Sequence, residues 1–213
     1  MSSRVPLVSC IMPTRGRPHF APKAVEYFQA QTWPNKELVI LDDLDARSFP
    51  GPLIGKAGIQ YHLMQGRHRL GAKRNLAVSR ATGEFIAHWD DDDYSAPERL
   101  EEQMLRLLET HAQITGYHSM IFMDEFNRKA WLYNNTSRPY CIGSSLLYRR
   151  EYWQEHRFNE NIACGEDDDF SRKATGTVVS VDANGVMFAR LHSGNTSIHT
   201  LGDKVWREVP WQG

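Results

Sequence analysis

The sequence predicts an α/β fold built on a mostly parallel sheet with helices on both faces. Over the first 110 residues, short apolar runs alternate with segments whose apolar residues recur at helical spacing. Two of the apolar runs pass directly into acidic residues, at Asp42-Asp43 and at 90–93. Open α/β sheets bind ligands in the crevice at the carboxyl ends of their strands. We therefore expect a polar site at one edge of this sheet.

Length and composition favour one globular domain. The chain has 213 residues, of which 41% are hydrophobic and 24% charged, and a net charge of −1. That charge gives no attraction to nucleic acid, so we expect no nucleic-acid partner. No apolar run reaches the roughly 20 residues of a transmembrane helix, and the amino terminus does not resemble a signal peptide. We expect a cytoplasmic protein for which peripheral membrane contact stays open.

The elements of the first half can be placed in order. They are a strand over 5–12, a helix with apolar residues at 21, 24, 25 and 28, strands over 37–41 and 59–63, a helix containing 72, 76 and 77, a strand over 85–89, and a helix with apolar residues at 100, 104, 107 and 108. The piece 45–58 reads as loop, and Gly83 as the end of the second helix. Ser95 and Glu98 have the spacing of a capping box, which predicts the start of the third helix.

The second half has a different pattern. Strands are predicted over 120–123, 131–133, 142–148, 177–181 and 186–191, and residues 165–170 open a short helix with acidic residues in its first turn. This pattern is typical of a smaller mixed extension of the sheet. The tail 197–213 has no periodicity but carries Trp206 and Trp211, which suit a lid, a stacking surface for a ligand or core positions.

The four consecutive aspartates at 90–93 need a counter-charge. They follow a buried strand, where partial burial strengthens their mutual repulsion, so a cation or hydrogen-bond donors must offset the charge. A ligand set made only of oxygen suits Mg²⁺ or Mn²⁺. The alternative for an isolated run of this kind is a solvated acidic turn.

Four sequence blocks in order resemble the family 2 glycosyltransferases. They are 8–14 with 31–43, 71–75, 81–86 with 90–93, and 165–170. The resemblance implies the GT-A fold, with a nucleotide-binding Rossmann-like sheet, mostly parallel, and a smaller mixed extension. It also implies a single domain over 1–213, with a nucleotide-sugar-binding half at 1–115 and an acceptor-binding half with a carboxyl-terminal tail at 116–213.

The resemblance further implies a metal-dependent, inverting transfer of a sugar from a nucleotide diphosphate to an acceptor hydroxyl. The donor residues would be Pro13, Thr14, Arg15, Asp42, Asp43, Arg69, Arg74, Asp90 and Asp91. A UDP-sugar is favoured over a GDP-sugar, and the acceptor would be a glycan, a lipid-linked sugar or a small molecule. Mn²⁺ or Mg²⁺ would be held by Asp92 with Asp90 and His192, although four adjacent aspartates leave the register of the motif open.

The catalytic base implied by the late acidic motif is Asp167. Glu166 and Asp168 stay open as alternatives, and Asp169 could hold the end of the helix. An inverting reaction needs such a base on the face of the sugar opposite the leaving diphosphate. The whole acidic stretch 166–169 could also be a favourable helix start and no more.

Two other functions compete with glycosyl transfer. A sugar-1-phosphate nucleotidylyltransferase would carry a glycine-rich basic signature directly after the first strand, which residues 13–17 match poorly. A non-catalytic module could bind a nucleotide-sugar or Ca²⁺, but the acidic run lacks the spacing of a calcium loop. One departure from the family lies at 44–47, where Leu-Asp-Ala-Arg follows the Asp42-Asp43 pair.

Overall fold

The computed structural model describes residues 4–44, 55–195 and 204–211. Five α-helices lie in these ranges: α1 (Ala21–Ala30), α2 (Leu70–Arg80), α3 (Arg99–Glu109), α4 (Arg150–Glu155) and α5 (Glu166–Arg172). The strands are β1 (Val8–Thr14), β2 (Lys36–Asp42), β3 (Ile59–Leu63), β4 (Phe85–His88), β5 (Tyr94–Ser95), β6 (Ile114–Asp124), β7 (Lys129–Asn134), β8 (Leu147–Arg149), β9 (Val178–Asp182), β10 (Met187–Arg190) and β11 (Trp206–Val209). The predicted alternation of the first half is confirmed.

All described strands join one sheet, whose main order is β11-β7-β6-β8-β4-β1-β2-β3. β3, β2, β1 and β4 are mutually parallel, whereas β4–β8, β8–β6, β6–β7 and β7–β11 are antiparallel. β9 and β10 then pair parallel to β6, and β5 pairs with β10. The α/β class is confirmed, but the sheet is more mixed than expected because the second half extends the same sheet.

The two faces of the sheet carry separate cores. On one face, α1 and α3 pack apolar side chains such as Val25 and Met104 against β1 and β2. On the other face, α2, α4 and α5 contribute Val78, Trp153 and Phe170. Strand side chains alternate between the faces, so each central strand is buried on both sides. Helices on both faces are thus confirmed, and they leave the carboxyl ends of β1, β2 and β4 open at one edge.

Two local predictions were wrong. Ser95 does not cap α3. It lies in β5, which pairs with β10, and its hydroxyl accepts a hydrogen bond from Arg99 Nη1 at 2.8 Å. The helix starts at Arg99 instead. Gly83 does not end α2, which stops at Arg80; its role is close packing, since a Cβ there would lie 2.5 Å from Ser9 Oγ.

Two predictions in the second half also need correction. The expected strand 142–148 starts later, as β8 (Leu147–Arg149), and Gly143–Ser145 forms a short 3-10 helix. The Ser145 hydroxyl explains this turn, since it donates to Ile142 O at 2.7 Å and accepts from Tyr117 N at 2.9 Å. The described part of the tail contains a strand that the sequence did not predict, β11, which pairs with β7. The expected loop at 45–54 and the rest of the tail at 197–203 and 212–213 lie outside the described residues.

No helix in the described parts of the chain combines the length and apolar character that crossing a membrane requires.

A buried carboxylate ties the amino-terminal strands together. Glu37 is 8% exposed and accepts hydrogen bonds from Ser9 Oγ at 2.6 Å, from Thr82 N at 2.6 Å and Oγ1 at 2.8 Å, and from Gln60 Nε2 at 2.9 Å. Burial alone would raise its pKa, but these donors outweigh it and lower the pKa below the usual value. The ionised form therefore stabilises the fold.

We expect Glu37→Gln to lower the free energy of unfolding by about 1–3 kcal/mol at neutral pH, because a buried charge-assisted network loses its acceptor. A lowered pKa means that this contribution is present above the unfolded-state pKa and is lost as pH falls through the folded-state value. The difference between wild type and variant, measured by urea unfolding, should therefore shrink below about pH 4. Glu84→Gln, at an exposed carboxylate, is the matched control and should change little. A difference in unfolding free energy that does not vary with pH would contradict the conclusion that ionised Glu37 stabilises the fold.

Candidate active site

The acidic run forms the centre of the site. Asp90, Asp92 and Asp93 each present a carboxylate oxygen, and these oxygens lie within 4.8 Å of one another. Asp92 and Asp93 are buried, whereas Asp90 is partly exposed. The run directly follows β4, whose buried position in the sheet fixes where the backbone ends. Oxygen donors at this spacing could hold a hard divalent cation.

Burial shifts the charge balance of these carboxylates. It raises the pKa of Asp90 to about 6, with Arg74 opposing the rise and Asp92 and Asp91 adding to it. Burial likewise raises the pKa of Asp91, and it raises that of Asp93 well above the usual value, in both cases with Asp92 adding to the rise. A positive charge close to these carboxylates would stabilise their ionised forms.

Arg17 is the cation that the structure places on the run. Its Nη1 lies 2.7 Å from Asp91 Oδ1 and 2.6 Å from Asp92 Oδ2, and its Nη2 donates to the carbonyl of Gly194. Thr14 Oγ1 also donates to Asp91, at 2.5 Å. Asp91 therefore faces the loop after β1, whereas its three neighbours group together.

His192 also reaches the acidic run. Its Nε2 lies 2.9 Å from Asp92 Oδ2, its Nδ1 accepts from Gly194 N at 3.1 Å, and its ring stacks on Phe20. A ring nitrogen that accepts leaves the other one to carry the proton, so Nε2 donates to Asp92. The imidazole thus lies beside the expected metal carboxylate.

A second polar cluster lies at the end of β2. Asp43 is buried and accepts from Lys73 Nζ at 2.9 Å and from His68 N at 2.8 Å. Burial works against ionisation, but these donors lower the pKa of Asp43 below its usual value. Arg15 Nη1 donates to the Asp43 carbonyl at 2.5 Å, and Lys73 also donates to the carbonyl of Thr14.

Asp42 has different partners from Asp43. It accepts from Tyr61 OH at 3.0 Å and from the Leu44 amide at 3.1 Å. Its carboxylate therefore contacts β3 and the start of the following loop, and Asp43 is the member of the pair that faces the loop after β1.

The acidic helix α5 lines the same cavity as the acidic run. Glu166 is buried and forms an ion pair with the buried Arg74. Asp168 pairs with Arg138 and Arg172, and Asp169 pairs with Lys173 at 2.6 Å. Asp167 has no hydrogen-bond or ion-pair partner among the residues that the structure describes. Its carboxylate is therefore the one on this helix that is free to accept a proton.

A cavity of about 570 Å³ joins these parts. One side carries Asp90 to Asp93 with Arg17, and another carries Glu166 and Asp167. A third wall is aromatic, from Tyr133, Tyr140 and Trp206. The fold therefore brings the acidic residues of both halves to one space.

The predicted site residues fall into three groups. Those that line the cavity are Pro13, Arg74, Asp90, Asp91, Asp92, Glu166 and Asp167. Those that contact a lining residue or one another beside it are Thr14, Arg15, Asp43 and His192. Asp42 pairs with Thr14 between β1 and β2 while its carboxylate bonds to Tyr61 and Leu44, and Arg69 donates to the carbonyl of Asn161 at the surface. The candidate roles given above stay predictions for all of these residues.

Sequence reasoning missed several residues of the site. Lys73 lies within the 71–75 motif and Arg17 just after the 8–14 motif, and the charge of Arg17 beside a predicted strand end is a usable signal. Arg99 is buried and donates to the carbonyls of His88 and Ser144 at 2.9 and 3.0 Å. No sequence signal distinguishes it from Arg106, the other cation of α3.

We expect Arg74→Met to cost about 3–5 kcal/mol of unfolding free energy, because it leaves Glu166 buried without a partner. The double variant Arg74→Met/Glu166→Leu should recover most of this loss, since no unpaired charge remains. Urea unfolding of the two variants and wild type measures the difference. A double variant as unstable as the single one would show that the pair is not what holds α5 to α2.

Sequence comparison assigns the family. The model described as glycosyl transferase family 2 matches residues 9–177. EpsE of Bacillus subtilis (strain 168), provisionally named a glycosyltransferase, is 35% identical over 165 residues, covering 69% of this chain and 58% of EpsE. WfgD of Escherichia coli, named a UDP-Glc:alpha-D-GlcNAc-diphosphoundecaprenol beta-1,3-glucosyltransferase, is 30% identical over 107 residues, covering 49% and 42%. The chain matches about half the length of each relative.

Solved structures show the same fold. TarS 1–349 of S. aureus, in complex with UDP-GlcNAc, superposes with a TM-score of 0.72 at 21% identity, covering 89% of this chain and 60% of that one. The mannosyltransferase PcManGT from Pyrobaculum calidifontis, in complex with GDP-Man and Mn²⁺, gives 0.73 at 14% identity, covering 91% and 59%. The chain belongs to glycosyltransferase family 2 and has the GT-A fold that its motifs predicted.

Proposed function

We propose that this protein is a metal-dependent, inverting glycosyltransferase that uses a UDP-sugar. One observation carries the proposal: a single cavity has a cluster of three carboxylates on one side and the unpaired Asp167 on another. A leaving diphosphate needs positive charge, and an attacking hydroxyl needs a base. The two acidic groups can meet these needs separately because different elements hold them.

The carboxylates fit a divalent cation. Burial and mutual repulsion raise their pKa values, so the surrounding protein groups do not fully offset their charge. Asp92 and Asp90 would hold Mn²⁺ or Mg²⁺, with Asp93 beside them and His192 in reach of Asp92. When bound, the ion supplies Lewis-acid stabilisation of the charge that develops on the leaving diphosphate. Arg17 adds a guanidinium suited to phosphate oxygens.

The base acts on the acceptor. Asp167 takes the proton of the acceptor hydroxyl while that oxygen forms a bond to the anomeric carbon. The bond from that carbon to the diphosphate oxygen breaks, and the nucleoside diphosphate leaves with the electron pair. Attack opposite the leaving group inverts the anomeric centre. Glu166 is less suited to this role, because its buried carboxylate is already occupied by the contact with Arg74.

Donor recognition falls to the ends of β1 and β2. Asp43, Arg15 and Thr14 surround the loop after β1, where a nucleoside could bind, and Asp43 would accept from a ring N–H of the base. The fold neighbours bind either kind of nucleotide, since TarS forms a complex with UDP-GlcNAc and PcManGT forms one with GDP-Man. We favour UDP, because in similar enzymes an Asp at the end of the second strand commonly accepts a hydrogen bond from uracil.

The acceptor would approach the second-half wall. Tyr133, Tyr140 and Trp206 give this wall amphipathic aromatic faces, which suit a sugar. A glycan, a lipid-linked sugar or a small molecule all fit this description, and a lipid-linked acceptor would bring the protein to a membrane surface. Residues 1–115 would thus serve the donor and 116–213 the acceptor, in the cytoplasm.

We expect UDP to bind in a Mn²⁺-dependent manner and GDP to bind at least tenfold more weakly, on the order of 1.4 kcal/mol. Calorimetric titration of each nucleotide with and without Mn²⁺ measures this. Asp92→Ala should abolish the metal-dependent part, whereas Glu109→Gln, at an exposed carboxylate of α3, should leave it unchanged. Absence of binding by either nucleotide under all conditions would refute the proposed function.

We expect Asp167→Asn to lower turnover by about 10²–10⁴-fold while UDP and Mn²⁺ binding stays within about twofold, because only proton transfer is lost. Release of UDP from UDP-glucose and UDP-GlcNAc, with water as acceptor, measures turnover. Asp169→Asn, which removes the partner of Lys173 on the same helix, is the control. A binding module would release no UDP in any variant, and a nucleotidylyltransferase would release pyrophosphate from UTP instead.

A further inference from the structure

We propose that Gly143 is a positioning residue that seats the carboxylate of Asp167 and fixes its place relative to the metal-binding aspartates. This inference rests on the proposed function and deepens it, because it identifies what holds the base in position. Gly143 begins the 3-10 helix between β7 and β8, far from Asp167 in sequence, and both residues line the same cavity.

The space where a side chain of residue 143 would lie is filled by Asp167. A Cβ built on Gly143 would lie 2.5 Å from Asp167 Cγ and 2.9 Å from its Cβ, and closer still to Oδ2. Real Cβ atoms essentially never approach other heavy atoms within 3.0 Å. Because the clash involves Cβ and Cγ as well as the carboxylate tip, the whole Asp167 side chain would have to move.

The 3-10 helix cannot retreat to make room. The carbonyl of Gly143 accepts from His88 Nδ1 at 2.6 Å, and the carbonyl of Ser144 accepts from Arg99 Nη2 at 3.0 Å. Gln103 Nε2 donates to the carbonyl of Ser145 at 2.7 Å. These three donors come from buried side chains of β4 and α3. Moving the turn would break several buried hydrogen bonds together.

The helix that carries Asp167 is also fixed. Glu166, the preceding residue, is held by the buried Arg74. Phe170 is fully buried, stacks on Phe158, and its carbonyl accepts from Tyr152 OH at 2.6 Å. With both backbones held, a methyl group at 143 requires the Asp167 side chain to rotate, which moves Cγ and the carboxylate, and its Cβ to shift by a small distance.

His88 connects this seat to the acidic run. A carbonyl can only accept, so His88 Nδ1 carries the proton that binds the Gly143 carbonyl. His88 is the last residue of β4, two positions before Asp90. Arg99 links the same two places, since one nitrogen donates to both the His88 and Ser144 carbonyls. The seat of the base and the start of the metal run are therefore held to each other by buried hydrogen bonds.

The test is Gly143→Ala, compared with Gly176→Ala. Position 176 offers the same chemical change and a similar clash, 2.6 Å from Gln113 Cδ, but it does not line the cavity. Turnover is followed as UDP release from UDP-glucose and UDP-GlcNAc with Mn²⁺ and water as acceptor. The place of Asp167 is followed by the carbon-13 signal of its carboxyl group, assigned from its loss in Asp167→Asn.

We expect Gly143→Ala to lower kcat by about 10–10²-fold with KM for the donor within about twofold, as a misplaced catalytic group does. Its Asp167 carboxyl signal should shift, and Gly176→Ala should show neither this shift nor the loss of kcat. Gly143→Ala should have no further effect on kcat in the Asp167→Asn background, because residues that act through one group are not additive.

Wild-type turnover together with an unchanged Asp167 signal in Gly143→Ala would overturn the inference. Losses of kcat that multiply in the double variant Gly143→Ala/Asp167→Asn would also overturn it, because Gly143 would then act through the fold and not through Asp167. Full turnover in Asp167→Asn would instead refute the base assignment of the proposed function. The carboxyl signal would still test whether Gly143 positions the Asp167 side chain. If wild type releases no UDP from either donor, the carboxyl signal alone decides whether Gly143 positions the Asp167 side chain.

Discussion

The electrostatic repulsion among four consecutive carboxylates is the constraint on which the rest of the site depends. They follow a strand buried on both faces, so water cannot fully screen them. The protein surrounds them with buried or partly buried cations, namely Arg17 from the first loop, Arg74 from α2 and Arg99 from α3. These three arginines come from three different elements. Holding the acidic run therefore fixes the relative positions of most of the first half.

The same constraint joins the second half to the first. Arg190 of β10 donates its amide to Asp93 Oδ1 at 3.3 Å and its guanidinium to the Asp92 carbonyl at 2.7 Å. His192, just beyond, bonds to the Asp92 carboxylate. These contacts span about 100 residues of sequence. The mixed part of the sheet thus supplies hydrogen-bond donors that the run of aspartates requires, as well as the cavity wall.

The parts of this structure that could be predicted are those with a local signal. Apolar periodicity located β1 to β4 and α1 to α3, and ordered motifs located the acidic run and the late acidic helix. Tertiary contacts decided the rest. Ser95 has a good capping spacing but joins a strand, and residues 142–145 look extended but turn because the Ser145 hydroxyl bonds to backbone on both sides. Buried Arg99 carries no local sign of its role.

Helix geometry explains why four adjacent acidic residues on α5 differ in chemistry. Successive side chains on a helix point about 100° apart, so each meets different surroundings. Glu166 points inward to buried Arg74, Asp168 meets Arg138 and Arg172, and Asp169 meets Lys173. In each case a cation contacts the carboxylate. For Asp168, burial alone would raise the pKa, but hydrogen bonds from Arg138 and Arg172 lower the pKa below its usual value. Asp167 lies against a glycine, a neighbour that offers neither charge nor side-chain donor, and keeps its oxygens for the cavity.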